Sequence, residues 1–108
     1  MKSLHVTQKI QVLLEDIRYL QADINYTIIH TNQDGSIIST MTIKRLNDRI
    51  ESNGFIRINK RYVLNKKFIK SYCDIDNSIM LDDGKTFILS RRKNRMLKGV
   101  LNQIQTTH

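Results

Sequence analysis

A short polar and basic segment interrupts an otherwise apolar stretch, residues 55–65, near the middle of the chain. Strand-like alternation begins before the interruption and resumes after it, and Asn59, Lys60 and Arg61 lie between. A break in period-2 burial marks a loop or bulge from which side chains can point outward. Arg and Lys there can contact phosphate, and Arg can donate two hydrogen bonds to a guanine edge. The stretch therefore predicts either a loop that presents these side chains to a polyanion or a solvated hairpin tip.

A second basic cluster follows a predicted strand near the C-terminus. Arg91, Arg92, Lys93 and Arg95 come directly after Ser90, which can act as a helix N-cap. Cations at a helix N-terminus oppose the macrodipole and cost some tenths of a kcal/mol each. Helix stability therefore does not explain the cluster, whereas an anionic partner would.

The net charge of +8 lies entirely in the second half of the chain. Residues 1–54 contain six basic and six acidic side chains, and residues 55–108 contain twelve basic and four acidic ones. Clustered charge of one sign favours polyanion binding through the local field and counterion release. Lys66, Lys67 and Lys70 add to the basic half, although lysines also serve solubility alone.

The residue inventory argues against catalysis and metal binding. The three histidines are scattered without metal-ligand spacing, and the four glycines are isolated, so that no phosphate-binding loop is formed. The adjacent acidic pairs are typical of solvated turns. Cys73 is alone, which excludes an internal disulfide, and its strand context favours a small buried hydrophobe over a reactive thiol. We expect no enzyme activity, no metal, no cofactor and no small-molecule substrate.

Length and composition predict one domain spanning residues 1–108. A chain of 108 residues has room for a single modest core, and 40% hydrophobic and 26% charged residues are ordinary for a globular protein. No apolar run approaches the roughly 20 residues that span a bilayer, and no secretion signal is visible at the N-terminus. We therefore expect a cytoplasmic protein without a membrane partner.

The elements that must position the basic clusters are short antiparallel strands with one or two helices. Asp-Gly pairs at 34–35 and 83–84 predict hairpin turns. A narrow apolar stripe predicts an amphipathic helix over 42–52, capped by Thr40 or Thr42 and ended by Gly54. A second helix over 91–104, which Gly99 could interrupt, places five apolar residues on one face. Strands are predicted at residues 4–14, 17–22, 26–31, 36–40, 55–58, 62–64, 68–75, 79–81 and 86–89.

Four motifs along the chain resemble one known family. They are Ile-Arg-Tyr-Leu-Gln-Ala at 17–22 with Asn-Tyr-Thr-Ile-Ile-His-Thr at 25–31, the whole stretch 55–65, Asp-Gly-Lys at 83–85, and Leu-Ser-Arg-Arg at 89–92. Their order and spacing resemble the LytTR DNA-binding domain of bacterial transcription regulators, from about residue 9 to residue 101, with residues 1–8 as a leader or edge strand. The resemblance implies a mostly β fold, an elongated arrangement of small antiparallel sheets with minor α, which binds DNA through loops rather than a recognition helix.

In that family three regions enter successive grooves along one face of the duplex. By position, the resemblance places these regions at Asn25 and Tyr26, at Asn59, Lys60 and Arg61, and at Arg91, Arg92 and Lys93. Within them we expect base-edge contacts for Lys60 and Arg92, and reading or orienting roles for Asn25 and Asn59. Tyr26 belongs to the first region by resemblance only, because its residue type alone favours a core position. The remaining cations are expected mainly on phosphates: Arg61, Arg91, Lys93 and Arg95.

The chain departs from the family pattern at three positions. Gln21 stands where a carboxylate is usual, and Asn59 and Arg61 stand where a His and a Ser are common. Arg61 adds a charge, so the DNA site or the affinity can differ from the family's usual. Most members also carry a receiver domain upstream. Because only a short leader precedes residue 9, we expect either a stand-alone domain or a segment of a longer protein.

Two other functions remain open beside double-stranded DNA reading. RNA binding normally uses exposed aromatic side chains, and an aromatic share of 6% in apolar strand settings argues against it. The basic half could instead bind an acidic protein or an anionic surface without reading sequence. For a DNA reader, the resemblance implies paired binding sites and a second copy of the chain on the same duplex.

Overall fold

The computed structural model describes residues 2–32 and 35–104, and the chain divides into two compact units, Met1–Lys67 and Phe68–His108. Across the described residues, ten strands form three antiparallel sheets and there are two α-helices. The mostly β fold with minor α expected from the sequence is confirmed. No helix in the described part of the chain is long and apolar enough to cross a membrane.

The first unit contains a two-stranded and a five-stranded sheet. The small sheet pairs β1 (Ser3–His5) with β2 (Gln11–Leu13). The larger sheet has the order β5-β4-β3-β7-β6, so β3 lies at its centre. Its strands are β3 (Ile17–Asp23), β4 (Tyr26–Thr31), β5 (Ser36–Ser39), β6 (Phe55–Arg57) and β7 (Tyr62–Asn65).

Helix α1 (Ile43–Ile50) supplies part of the core of the first unit. The predicted apolar stripe of Ile43, Leu46 and Ile50 is buried in one cluster with residues of β3, β4 and β7. Burying each such side chain contributes about 1.5–3 kcal/mol. Thr42 caps the helix by accepting a hydrogen bond from the Arg45 amide, as expected. The helix ends at Ile50, and a 3₁₀ turn, Glu51–Asn53, continues to Gly54, which ends the helical segment in the left-handed conformation.

The single strand predicted over residues 4–14 is wrong, because the chain reverses between Val6 and Ile10. The Val6 amide donates to the Ile10 carbonyl at 3.0 Å. Thr7 Oγ1 accepts from the amides of Lys9 and Ile10 at 3.2 and 3.0 Å, which builds a turn without glycine, proline, Asn or Asp. Leu4 and Val12 therefore lie opposite each other in two paired strands.

The second unit joins a three-stranded sheet to one helix. The strands are β8 (Ile69–Cys73), β9 (Ser78–Leu81) and β10 (Thr86–Ile88), in the order β10-β9-β8. Helix α2 (Arg91–Leu101) runs through Gly99 without a break. Of the five apolar residues expected on one face, Leu101 is buried while Met96 and Val100 are exposed, so that face is only partly covered. Cys73 is half-buried rather than buried.

The predicted hairpin turns are found where the structure describes them. Gly84 has a φ of +90° between β9 and β10, as the Asp-Gly signal predicts. Gly35 also has a positive φ and accepts a hydrogen bond from the Thr31 amide. The Asp34 half of that predicted turn, together with Gln33, lies outside the described residues.

Candidate nucleic-acid interface

Two of the three expected contact regions lie at the same end of the five-stranded sheet. Strands β3 and β4 are joined by a tight turn after the Asp23–Tyr26 pair. Strands β6 and β7 are joined by the loop of residues 58–61, which we call the central loop. The Ala22 amide donates to the Arg61 carbonyl at 2.7 Å, next to the Gln21–Tyr62 pair. The hairpin turn and the central loop are therefore neighbours.

Asn59 fixes the shape of the central loop from within. Its side-chain oxygen accepts from the amides of Arg61 and Tyr62 at 2.8 and 2.9 Å, which is an Asx turn. The Ile58 amide donates to the Tyr62 carbonyl at 3.1 Å, and the Ile58 side chain is fully buried. The side-chain oxygen of Asn59 is thus occupied by backbone amides of its own loop.

Arg57 holds the same loop from the strand side, and sequence reasoning missed it. Its guanidinium donates from Nε to the Asn59 carbonyl at 3.2 Å and from Nη2 to the Lys60 carbonyl at 3.0 Å. No sequence signal separates such an arginine from an ordinary strand residue, because its partners are backbone atoms.

The side chains of Lys60 and Arg61 are exposed at the tip of the central loop. Within residues 2–32 and 35–104, no carboxylate lies within ion-pair distance of either cation. The Arg61 guanidinium carbon is 5.9 Å from the centroid of the Tyr62 ring. The backbone of the central loop is thus fixed by hydrogen bonds while both cations point away from the core, an arrangement that agrees with a presenting loop and with a solvated hairpin tip alike.

Lys66 and Lys67 lie at the opposite end of β7 from the central loop. They line a cleft of about 470 Å³ together with Lys2 and mainly apolar surface. The strand between them and the loop is four residues long, at about 3.3 Å per residue. Proximity in sequence therefore does not make these lysines part of the loop edge.

The hairpin between β3 and β4 exposes four consecutive side chains, beginning with Asp23. Ile24 is 95% exposed and has a φ of +40°, Asn25 is exposed, and Tyr26 is 51% exposed. A core position, which the residue type alone favoured for Tyr26, is thus excluded. Its exposure agrees with the resemblance.

The third region is the start of α2, in the second unit. Ser90 caps the helix by accepting from the Lys93 amide at 3.1 Å, as predicted. Lys93 is half-buried, and the first turn contains no acidic residue. None of the cluster's cations makes an ion pair with a carboxylate in the part of the chain that the structure describes. The exposed arginines are Arg91, Arg92 and Arg95.

Asn94 attaches this helix start to the turn between β8 and β9. Its side-chain amide donates to the Asp74 carbonyl at 3.4 Å and to the side-chain oxygen of Asn77, and its own oxygen accepts from the Tyr72 hydroxyl. Tyr72 is buried, and this burial raises the pKa of its phenol above the ordinary 10.0, with smaller contributions from Asp74 and Cys73. Hydrogen bonds between neutral groups therefore attach the start of α2 to this turn. Further along the helix, Lys98 forms an ion pair with the Asp74 carboxylate at 3.4 Å.

No group of three or more His, Cys, Asp or Glu side chains among the described residues could hold a metal ion. The central loop and the start of α2 offer hydrogen-bond donors and positive charge on exposed backbone that is held in place. Such groups bind anions and base edges.

Comparison with known proteins agrees with the fold. The model of the LytTr DNA-binding domain matches residues 7–102, and the chain therefore belongs to the LytTR family of DNA-binding domains. One similar solved structure is the LytTr DNA-binding domain of a protein described as a methyl-accepting/DNA response regulator from Bacillus cereus. It superposes with a TM-score of 0.74 at 18% identity and covers 94% of this chain and 97% of that chain, which shows a shared fold. A search of curated proteins gives no match.

Proposed function

We propose that this chain reads a specific double-stranded DNA sequence in bacterial transcription control. The observation that carries the proposal is the central loop, in which Arg57 and Asn59 fix the backbone while Lys60 and Arg61 stay exposed. Neither cation forms an ion pair with a carboxylate among residues 2–32 and 35–104. A fixed loop loses little conformational entropy on binding, which favours specificity over diffuse attraction. Because the chain belongs to a family of DNA-binding domains, double-stranded DNA is the polyanion that we propose as its partner.

In this proposal the three regions divide between reading and positioning. Lys60 and Arg92 contact base edges, where Arg and Lys pair with guanine O6 and N7. Asn25 and Tyr26 contribute from the hairpin turn, and Asn59 orients the central loop. Phosphate contacts come from Arg61, Arg91, Lys93 and Arg95.

The proposal extends to the arrangement of the DNA and to the setting. Two copies of the chain bind paired sites on one duplex, and the domain acts in the bacterial cytoplasm as the output module of a transcription regulator. Paired sites about one helical turn apart place both copies on the same side of the duplex.

The experiment is a selection from random duplex DNA at about 150 mM salt, near the physiological ionic strength at which exposed charges are screened. The winning duplex is then titrated against a scrambled copy. An enriched motif with a clear preference over the scrambled copy is the expected result. Uniform, salt-sensitive binding would refute sequence reading and favour a basic module for an acidic protein or an anionic surface.

A further inference from the structure

Ile24, at the tip of the hairpin between β3 and β4, combines two properties that work against stability. Its φ is +40° and its side chain is 95% exposed. In the left-handed region the Cβ atom crowds the backbone, and a β-branched residue tolerates this least. The residue therefore carries strain and gains no burial in return.

The chain contains a better residue for this backbone position directly beside it. Tight hairpin turns place Gly, Asn or Asp at positive φ, yet Asn25 is outside the left-handed region while Ile24 is inside it. The other non-glycine residue with positive φ in the described part of the chain is Asn77, which is the ordinary choice. Neither turn chemistry nor packing explains an isoleucine here, so a contact outside the folded chain is the remaining physical reason.

The neighbourhood of Ile24 indicates what that contact is. The bond between the Ala22 amide and the Arg61 carbonyl places the hairpin tip beside the cationic central loop. A duplex held by these cations presents one apolar group on its major-groove base edges, the C5 methyl group of thymine. We infer that Ile24 packs against a thymine methyl group and selects thymine at one position of the DNA site; this inference rests on the proposed function.

The test removes each partner of the contact separately. In the preferred duplex, each thymine is replaced in turn by deoxyuridine, which lacks only the methyl group, and binding is measured for the wild type and for Ile24→Asn. Asn tolerates the left-handed conformation. Ile38→Asn is the matched control, because Ile38 is also an exposed isoleucine of the first unit but lies on edge strand β5. The thermal unfolding midpoint of each variant is measured alongside.

At one thymine, replacement by deoxyuridine is expected to change the affinity of the wild type but not that of Ile24→Asn. Loss of its methyl group should weaken wild-type binding about fourfold, the value of one buried methyl-sized group, and leave Ile24→Asn unchanged. Ile38→Asn should respond like the wild type, and the midpoint of Ile24→Asn should equal or exceed that of the wild type.

Two results would overturn the inference about Ile24 and leave the proposed function intact. One is a preferred duplex in which every uridine substitution affects the wild type and Ile24→Asn equally. The other is a clear fall in the unfolding midpoint of Ile24→Asn, which would assign Ile24 to packing. Absence of any preferred duplex would overturn the proposed function, and this inference with it.

Discussion

At the scale of residues, side chains that look equivalent in the sequence have different tasks in the central loop. Asn59 turns its oxygen inward to two backbone amides, whereas Lys60 and Arg61 extend outward. Arg57 carries the same charge as Arg61, but its guanidinium donates two hydrogen bonds to carbonyls of the loop. Positive charge alone therefore does not identify a contact residue; the partners of its donors do.

Lys60→Ala should weaken binding to the preferred duplex by about 1–3 kcal/mol and relax discrimination at one base pair. The matched control is Lys66→Ala, which removes the same charge from the other end of β7 and should change affinity much less. Binding to duplexes altered at each position checks both variants. An equal loss on every sequence would assign Lys60 to positioning, and equal losses in the two variants would reduce its effect to net charge.

The sequence predicted the exposed cations but not the side chains that support them. Lys60, Arg61 and the arginines at the start of α2 are all exposed, because clustered like charges cannot be buried together. Arg57 and Asn94 were missed since their partners are backbone atoms or residues distant in sequence. For Tyr26 the residue type alone favoured a core position, yet its side chain is exposed, because residue type alone does not predict exposure at a turn.

At the scale of elements, strand pairing and turn chemistry decided which predictions succeeded. Glycine marked the turn at Gly84 and, at Gly54, the end of the 3₁₀ turn that follows α1, because only positive φ was needed there. The reversal at Thr7 was missed because it depends on a hydroxyl that accepts from two amides. Helix α2 continues through Gly99, since glycine costs a helix only about 1 kcal/mol.

Arg57→Lys should test whether the central loop must be held in shape. Lysine keeps the charge but cannot donate to both carbonyls in a fork, so affinity for the preferred duplex should fall about 5- to 30-fold with an unchanged salt dependence. Arg49→Lys, an exposed arginine in the last turn of α1, is the control and should have little effect. A shallower salt dependence for Arg57→Lys would instead assign Arg57 to a phosphate, and unchanged affinity would show that the fork is dispensable.

Tyr72→Phe should test the hydrogen-bond network beneath α2 without changing the cations on that helix. Losing the hydroxyl that donates to Asn94 should lower the free energy of unfolding by about 1 kcal/mol at neutral pH. Because burial raises the pKa of Tyr72 above 10.0, its neutral form stabilises the fold fully below pH 10.0, and this contribution is lost as pH rises through the folded-state pKa.

Denaturant unfolding between pH 7 and pH 11 measures both parts of that prediction, over the range in which a tyrosine phenol ionises. The wild type should lose more stability than Tyr72→Phe above pH 10.0. Parallel curves would show that Tyr72 ionises equally easily in the folded and unfolded chain.

At the scale of the whole molecule, the positive charge does not follow the division that the sequence indicated. The neutral first half ends at residue 54, but the first unit extends to Lys67 and so includes the central loop. That unit contains eleven basic and six acidic residues, and the second contains seven basic and four acidic ones. Both units are therefore cationic, and each contains residues that the proposal assigns to DNA contacts.

The number of phosphates that both units neutralise together should appear in the salt dependence of binding. Each neutralised phosphate lowers the logarithm of the binding constant by about 0.9 per decade of salt, so the four proposed phosphate contacts predict a slope of about −3.6 per copy.

Replacing one of the four cations tests this count. Arg95→Gln should weaken binding on all sequences and make the slope shallower by about 0.9. Lys66→Ala is the control, and its slope should match that of the wild type because Lys66 lies at the other end of β7. Titrations of the preferred and scrambled duplexes between 50 and 300 mM salt, an interval over which screening roughly doubles, measure both slopes. A wild-type slope near zero would contradict phosphate contacts altogether. An unchanged slope in Arg95→Gln would remove Arg95 from the interface and leave Arg91 and Lys93 as the phosphate contacts of the second unit.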